Sequence, residues 1–361
     1  MPAGRTATSS IPISAGSSRA CASRSPAPDE RLPELSRVTI KPVFADATPL
    51  ARLPDDQAFL ADVLAGFVKP QKTLPAKYFY DAAGSDLFEQ ITLLPEYYPT
   101  RTELGILDAR GAEISAALPR GAALVEFGSG STVKVRRLLR HMSDLAAYVP
   151  VDVSETFLRS EAAALQTDYP NLRIAPIAAD FTQPFALPAD LGEAPRAGFF
   201  PGSTIGNFEP AEAARLLRQF GDVLGAGATL VVGVDLVKDA AVLEAAYDDA
   251  AGTTAAFNLN LLTRIDRELS GTFDASAFGH RAVFNRTASR IEMHLVSRAN
   301  QTVTVAGHAF AFAEGETIHT ENSYKYTIDG FRDLAEQAGW AAITVWTDPE
   351  ALFSVHALRF G

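Results

Sequence analysis

The run Leu124-Val125-Glu126-Phe127-Gly128-Ser129-Gly130-Ser131 constrains this chain more than any other. Apolar residues leading straight into two closely spaced glycines describe a buried strand that turns sharply into a helix, the place where open α/β sheets bind nucleotides. Without a Cβ, Gly128 and Gly130 let the backbone take positive φ and approach a ligand closely, and the following helix offers unpaired amide N–H groups in its first turn. A dinucleotide fingerprint would need glycine at Val133, and a P-loop would need G-K-[ST]; neither is present. What remains is an adenosine-type ligand without a pyrophosphate, and S-adenosylmethionine leads.

Two acidic stations follow in order. Ala147-Tyr148-Val149-Pro150-Val151 reads as the next strand and delivers Asp152 at its C-terminal end, where a carboxylate suits a ribose diol. Arg173-Ile174-Ala175-Pro176-Ile177 then leads to Asp180 and Phe181, an acid and an aromatic ring suited to an adenine amino group and ring face. Each aspartate alone would read as a helix cap. Glycine turn, Asp152 and Asp180 together form the nucleotide-site pattern of Rossmann-like methyltransferases.

The chain continues to alternate. Residues 197–200 form a strand ending in the small-residue loop Gly202-Ser203-Thr204-Ile205-Gly206-Asn207, and Glu209-Pro210 opens a helix that runs to Leu224. Gly225 and Gly227 end that helix, and Ala228–Asp235 is a buried parallel strand. Strand and helix in this order predict a doubly wound, mostly parallel sheet. Asn207, at a strand's C-terminal edge, offers a donor and an acceptor to an amino acid's backbone groups, or serves as a turn residue.

Composition narrows the partners. A net charge of −11 with no Lys/Arg stripe disfavours nucleic acid and anionic membrane surfaces, and a small-molecule substrate fits better. Cys21 is the only cysteine, so no intramolecular disulfide is available, and the six histidines show no pairing with acids at metal-ligand spacing. A cytoplasmic, metal-free protein is expected. No apolar run approaches the roughly 20 residues that span a bilayer.

Residues 1–47 are rich in Ala, Ser and Pro without a hydrophobic period and are expected to be a disordered, dispensable tail; their Arg- and Ser-rich start resembles a transit peptide, but prolines interrupt any amphipathic helix. From Asp55 to Val68, Phe59, Leu60, Val63, Leu64 and Phe67 recur at helical spacing. An aromatic-rich block from Lys77 to Thr100 follows, with a short helix from about Ser85, and Thr100 with Glu103 reads as a capping box.

The block from Tyr78 to Arg101, Gly128-Ser129-Gly130 with Lys134, Asp152-Val153-Ser154, the loop from Gly202 to Asn207, Tyr247-Asp248-Asp249-Ala250-Ala251-Gly252, and Thr320-Glu321-Asn322-Ser323 resemble the L-histidine Nα-methyltransferases of ergothioneine biosynthesis. The likeness covers nearly everything after about Pro54. It implies S-adenosylmethionine-dependent trimethylation of the α-amino group of L-histidine to hercynine, without a metal. It also implies a Rossmann-like class I methyltransferase core, residues 99–236 plus 326–361, with a discontinuous α+β substrate-binding domain, residues 50–98 plus 237–325. A monomer is expected.

By the same resemblance, Gly128, Lys134, Asp152, Asp180 and Phe181 contact the cofactor, and Tyr80 lies beside the methyl-transfer site. Tyr97, Gly202, Asn207, Tyr247, Glu321 and Ser323 serve the substrate, with Tyr80 and Asn207 as the catalytic pair. Asn207 and Tyr247 go to the carboxylate and amino end, Tyr97 helps close the pocket, and Glu321 and Ser323 read the imidazole. The residue types suit the chemistry, since a sulfonium already carries a reactive methyl and the protein has only to hold a neutral amine on its axis. The bound α-ammonium must therefore lose a proton, to water or to a neighbour such as Tyr80. Two other readings stand beside this one: an N-methyltransferase of another aromatic amino acid such as a tryptophan derivative, and a catalytically silent S-adenosylmethionine-binding protein.

Overall fold

The computed structural model describes residues 55–361. The expected tail over residues 1–47, with Cys21, and the first residues of the expected substrate-binding segment lie outside them.

Helix α1 (Asp55–Phe67) follows its apolar spacing and buries Phe59, Val63 and Phe67. After β1 (Lys72–Thr73) and one 3-10 turn (Ala76–Phe79), α2 (Ala82–Thr92) starts where the Asp81 carboxylate accepts from the Gly84 N–H at 2.8 Å. Helix α3 (Tyr98–Ala117) corrects the sequence reading: Thr100 and Glu103 both lie inside it and form no capping box. Pro99 sits in the first turn, where a missing N–H costs nothing, and Glu103 is fully buried against partners elsewhere.

Strand and helix then alternate: β2 (Ala123–Phe127), α4 (Val133–Leu139), β3 (Ala147–Asp152), α5 (Glu155–Asp168), β4 (Ile177–Ala178), β5 (Arg196–Phe200), α6 (Pro210–Leu224) and β6 (Thr229–Asp235). Next come α7 (Ala240–Tyr247) and α8 (Thr253–Leu269), and after them the strands β7 (Phe278–Asn285), β8 (Arg290–Ser297), β9 (Gln301–Val305), β10 (His308–Phe312) and β11 (Thr317–Tyr324). The chain closes with α9 (Ile328–Gln337), β12 (Trp340–Thr347) and β13 (Phe353–Phe360). No helix among the described residues is long and apolar enough to cross a membrane.

Seven strands form the central sheet in the order β12-β13-β6-β5-β2-β3-β4, parallel from β6 to β4, with β13 antiparallel to both its neighbours. Strands buried on both faces read as continuous apolar runs, and every residue of β2 and β6 is buried. The Phe127 and Phe220 rings stack at 3.7 Å and couple the sheet to α6, each such buried side chain contributing about 1.5–3 kcal/mol. Strand β4 is shorter than the sequence suggested because Pro176 has no N–H to pair; only a bridge from Tyr148 to Ile174 precedes it. The direction of winding reverses between β2 and β5, so the ligand crevice of such a sheet lies beyond their carboxyl ends, at Gly128 and Gly202.

A second sheet has the order β1-β11-β8-β7, antiparallel except for β1 with β11. Its inner face packs on an apolar cluster that includes Phe59, Phe79, Tyr97, Leu262, Met293 and Ile318. The two sheets meet where β6 and β11 end: Asp235 pairs with Lys325 at 2.7 Å, and Leu236 bridges to Tyr326.

Candidate active site

The glycine turn is built as the strand-to-helix geometry requires. Gly128 has φ +71° and Gly130 φ +39°, and the Gly128 and Ser129 N–H groups donate to the Val151 carbonyl. A Cβ on Gly128 would stand 3.1 Å from the Phe181 ring, so this glycine is also what admits Phe181 over the turn. Asp152 takes one hydrogen bond on each oxygen, from Gly130 N at 3.1 Å and from Ser154 N at 3.0 Å. Each oxygen keeps a lone pair for a diol. Asp180 is not a helix cap: its Oδ1 accepts from the Thr182 N–H and hydroxyl, and its Oδ2 has no partner among the described residues. A positive-φ turn, acceptors at two successive strand ends and an aromatic ring over the glycine fit an adenosine moiety.

Lys134 and Gly202, assigned from sequence to different ligands, are brought together by Glu103. Its buried carboxylate pairs with Lys134 Nζ at 2.7 Å and accepts the Gly202 N–H at 2.9–3.0 Å. The loop after β5 is thereby fixed to the helix after β2 across the crevice. Asn207 ends the turn Thr204–Asn207, half-buried and without a side-chain partner among the described residues. This turn is seated on β11: a Cβ on Gly206 would be 2.7 Å from the Tyr324 carbonyl oxygen.

Aromatic rings line the facing wall. Tyr80 meets Phe88 edge-on at 5.6 Å, Phe88 meets Tyr97 at 6.2 Å, and Tyr97 meets Tyr247 at 6.1 Å. Tyr80 keeps 41% of its surface exposed. Removal from bulk water, then the Glu321 carboxylate, and further off Asp152, push its hydroxyl well above the usual phenol range. Tyr80 is thereby held as a neutral phenol. The Tyr80 and Tyr97 hydroxyls have no hydrogen-bond partner among the described residues.

Glu321 reaches this wall because β11 is irregular. On a regular strand residues two apart share a face, but the pairing with β8 shifts between His319, opposite His294, and Glu321, opposite Met293. Thr320 is the extra residue, anchored by its hydroxyl to the Met293 carbonyl at 3.0 Å. Beyond the bulge Glu321 and Ser323 lie on the face of the buried Met293 and Ile291, and Asn322 lies on the opposite face, bonded to Glu209. Burial raises the Glu321 carboxyl to about 7, with Lys325 opposing the shift.

Ser323 and Tyr247 come together directly, hydroxyl to hydroxyl, at 2.7 Å. Lys325, which the sequence reading did not single out, donates to both, at 2.6 Å to Ser323 and 3.0 Å to Tyr247, and pairs with Asp235. Asp235 also receives the Tyr98 hydroxyl at 2.8 Å and Lys238 at 2.6 Å. Burial alone would raise this carboxyl, but the two lysines hold it below the usual range. The signal for Lys325 was present in the sequence, since Glu321, Ser323 and Lys325 continue one period of two.

Acid–histidine contacts do exist among the described residues, which corrects the reading that none pairs, and one of them belongs to a group of three. Glu292 and His294 share a strand face at 3.3 Å, and His319 comes from the neighbouring strand to stack on His294 at 4.8 Å. Strand pairing, invisible to linear spacing, makes the trio. These ligand types suit a divalent metal, but Arg290 and Asn285 already occupy one Glu292 oxygen, and His319 Nε2 engages the Glu321 carbonyl.

The family model for histidine-specific, SAM-dependent methyltransferases matches residues 59–360. The chain is similar to the histidine N-alpha-methyltransferase of Mycolicibacterium smegmatis, 46% identical over 83% of this chain and 94% of that protein. It is likewise similar to that of Mycobacterium tuberculosis, 43% identical over 84% of this chain and 96% of that protein. The ergothioneine biosynthesis protein 1 of Neurospora crassa is 27% identical over 76% of this chain, which spans 32% of that protein. With its crevice at the winding reversal and its polar wall on β11, this chain belongs to the histidine-specific, S-adenosylmethionine-dependent methyltransferase family.

Proposed function

We propose that this protein trimethylates the α-amino group of L-histidine to hercynine, the opening step of ergothioneine synthesis. The observation that carries the reading is the placement, on one strand face, of the Glu321 acceptor and the Ser323 hydroxyl, the latter met at 2.7 Å by the Tyr247 hydroxyl from α7, next to a crevice suited to adenosine. An imidazole has one N–H and one bare nitrogen, and this face offers a partner for each.

Gly128, Asp152, Asp180 and Phe181 hold S-adenosylmethionine, with Lys134 fixing the loop through Glu103; when bound, it supplies an electrophilic methyl on a sulfonium. Asn207, with Tyr247, takes the amino acid's carboxylate and amino end, and Tyr97 closes the aromatic wall. Tyr80 is held neutral, so its oxygen accepts a hydrogen bond from the amine and aims the lone pair, and the ammonium proton leaves to water past the exposed side of Tyr80. Residues 50–98 with 237–325 serve the substrate and the remainder from residue 99 the cofactor; the apolar cluster drawn from residues 59–98 and 243–318 supports that division. The chemistry needs no Lewis acid, and we place the protein in the cytoplasm as a metal-free monomer without nucleic-acid or membrane partners.

The test is mass spectrometry after incubation with S-adenosylmethionine and equimolar histidine, tryptophan, tyrosine and phenylalanine. Trimethylated histidine alone is expected. Methylation of tryptophan instead would transfer the site to another aromatic amino acid, and no product despite cofactor binding would leave a silent binder.

A further inference from the structure

We propose that Lys325 is a specificity-determining positioning residue: by donating to the Ser323 and Tyr247 hydroxyls it fills acceptor sites on that pair, so that the one O–H their mutual contact leaves free is offered by Ser323 as a donor and the wall demands a hydrogen-bond acceptor from the substrate ring. The inference rests on the histidine reading above and deepens it.

Counting protons gives the argument. The Lys325 ammonium has three N–H groups and no lone pair, and its three partners are Asp235 at 2.7 Å, Ser323 Oγ at 2.6 Å and Tyr247 Oη at 3.0 Å. Each hydroxyl therefore accepts from lysine, and the 2.7 Å contact between them uses one of their two protons. A phenol is the stronger acid and the better donor, so Tyr247 gives its proton to Ser323. Ser323 Oγ then accepts twice, which exhausts its lone pairs and leaves its own proton free to donate, while Tyr247 Oη keeps one lone pair for the substrate's amino end. Glu321, one step of two earlier on the same strand face, accepts. The wall thus reads one donor and one acceptor, the pattern of a neutral imidazole in one tautomer.

Lys325 is held for this work. It is buried, and Asp235 fixes it from the end of β6 in the other sheet, so the polarity of the substrate wall is set from the cofactor side of the molecule. Lys238 remains on Asp235 at 2.6 Å when Lys325 is removed, so the Lys325→Met variant leaves no unpaired buried carboxylate.

The experiment measures, by calorimetry in the presence of S-adenosylhomocysteine, the affinity of the full-length protein for histidine and for two pyrrolylalanines. Each analogue keeps one ring N–H and replaces the other nitrogen with CH. Wild type is expected to prefer histidine over both by at least about 100-fold, because a buried donor left unpaired rejects the analogue strongly. In Lys325→Met that preference should fall at least about tenfold, with the melting temperature recording that the chain is folded. Lys325→Met binding all ligands more weakly but with the wild-type preference intact would overturn the inference and leave lysine a structural role. Ser323→Ala keeps the test open if Lys325→Met does not fold: it should lose the same preference, and retention would overturn the inference. A wild type that does not distinguish histidine from either analogue overturns the histidine reading itself, and is recognised because it needs no variant.

Discussion

Glu321 shows how one residue's role follows from its surroundings. An exposed carboxylate titrates near 4.3, whereas burial here raises this one to about 7 and Lys325 keeps it from going higher. On the proposed reading, replacing Glu321 with Ala removes the ring acceptor and leaves the cofactor side untouched. Histidine affinity measured over S-adenosylhomocysteine should fall by at least about 100-fold, and S-adenosylhomocysteine affinity should stay within about threefold. Asp152→Ala should do the reverse, since its carboxylate lies at the glycine turn. Calorimetry of both ligands on both variants checks the assignment; equal losses of both ligands would defeat it. Both proposals start from the sequence, Asp152 as the acid at a strand end and Glu321 through the likeness of its motif. Glu103 was misread as a cap because its partners, Lys134 and the Gly202 N–H, are remote in sequence.

Strand β11 carries the proposed substrate wall as an element, and alternation decides which side chains join it. Asn322 sits between Glu321 and Ser323 yet faces away, opposite Glu292, with its amide on Glu209. Asn322→Ala should therefore leave KM for histidine within about threefold, the loss of one exposed hydrogen bond being worth about 1 kcal/mol or less. Deleting Asn322 instead puts Glu321 and Ser323 on opposite faces, because they become neighbours on a strand whose side chains alternate. Activity should drop by at least about 100-fold in that variant, with circular dichroism confirming that the sheet persists. Near-normal activity in the deletion would show that alternation does not set the wall. The bulge at Thr320 left no sign in the sequence, since a bulge is defined by the partner strand's register.

At the scale of the molecule, the central sheet buries titratable groups whose cost appears as pH dependence. His356, on β13, is fully buried, and burial, with Arg332 adding to it, holds its imidazole down to about 3. The unfolded chain takes up this proton near 6.5 while the folded chain stays neutral, so the contribution to stability is intact above that pH and is lost as pH falls below it. Between pH 7.5 and pH 5 the wild type should lose about 2 kcal/mol relative to His356→Gln, which does not titrate. Urea unfolding of both proteins at the two pH values measures the difference, and parallel curves would contradict the assignment. Comparing the two proteins isolates this group from Glu126, which burial shifts the opposite way, up to about 8.

The sequence by itself determined the alternating strand and helix order, the glycine turn, the acids at the ends of β3 and β4, and the aromatic block, because each is written in local spacing and in the backbone freedom of glycine. It also contained the period of two from Glu321 to Lys325. Only the tertiary structure decided what those residues do to one another. The Lys325–Asp235 pair joins the ends of two sheets, Glu103 clamps Lys134 to Gly202, and His319 finds His294 across a strand pair. Such contacts depend on register and sheet order, which arise from burying the apolar faces of the whole chain at once, and no local spacing encodes them.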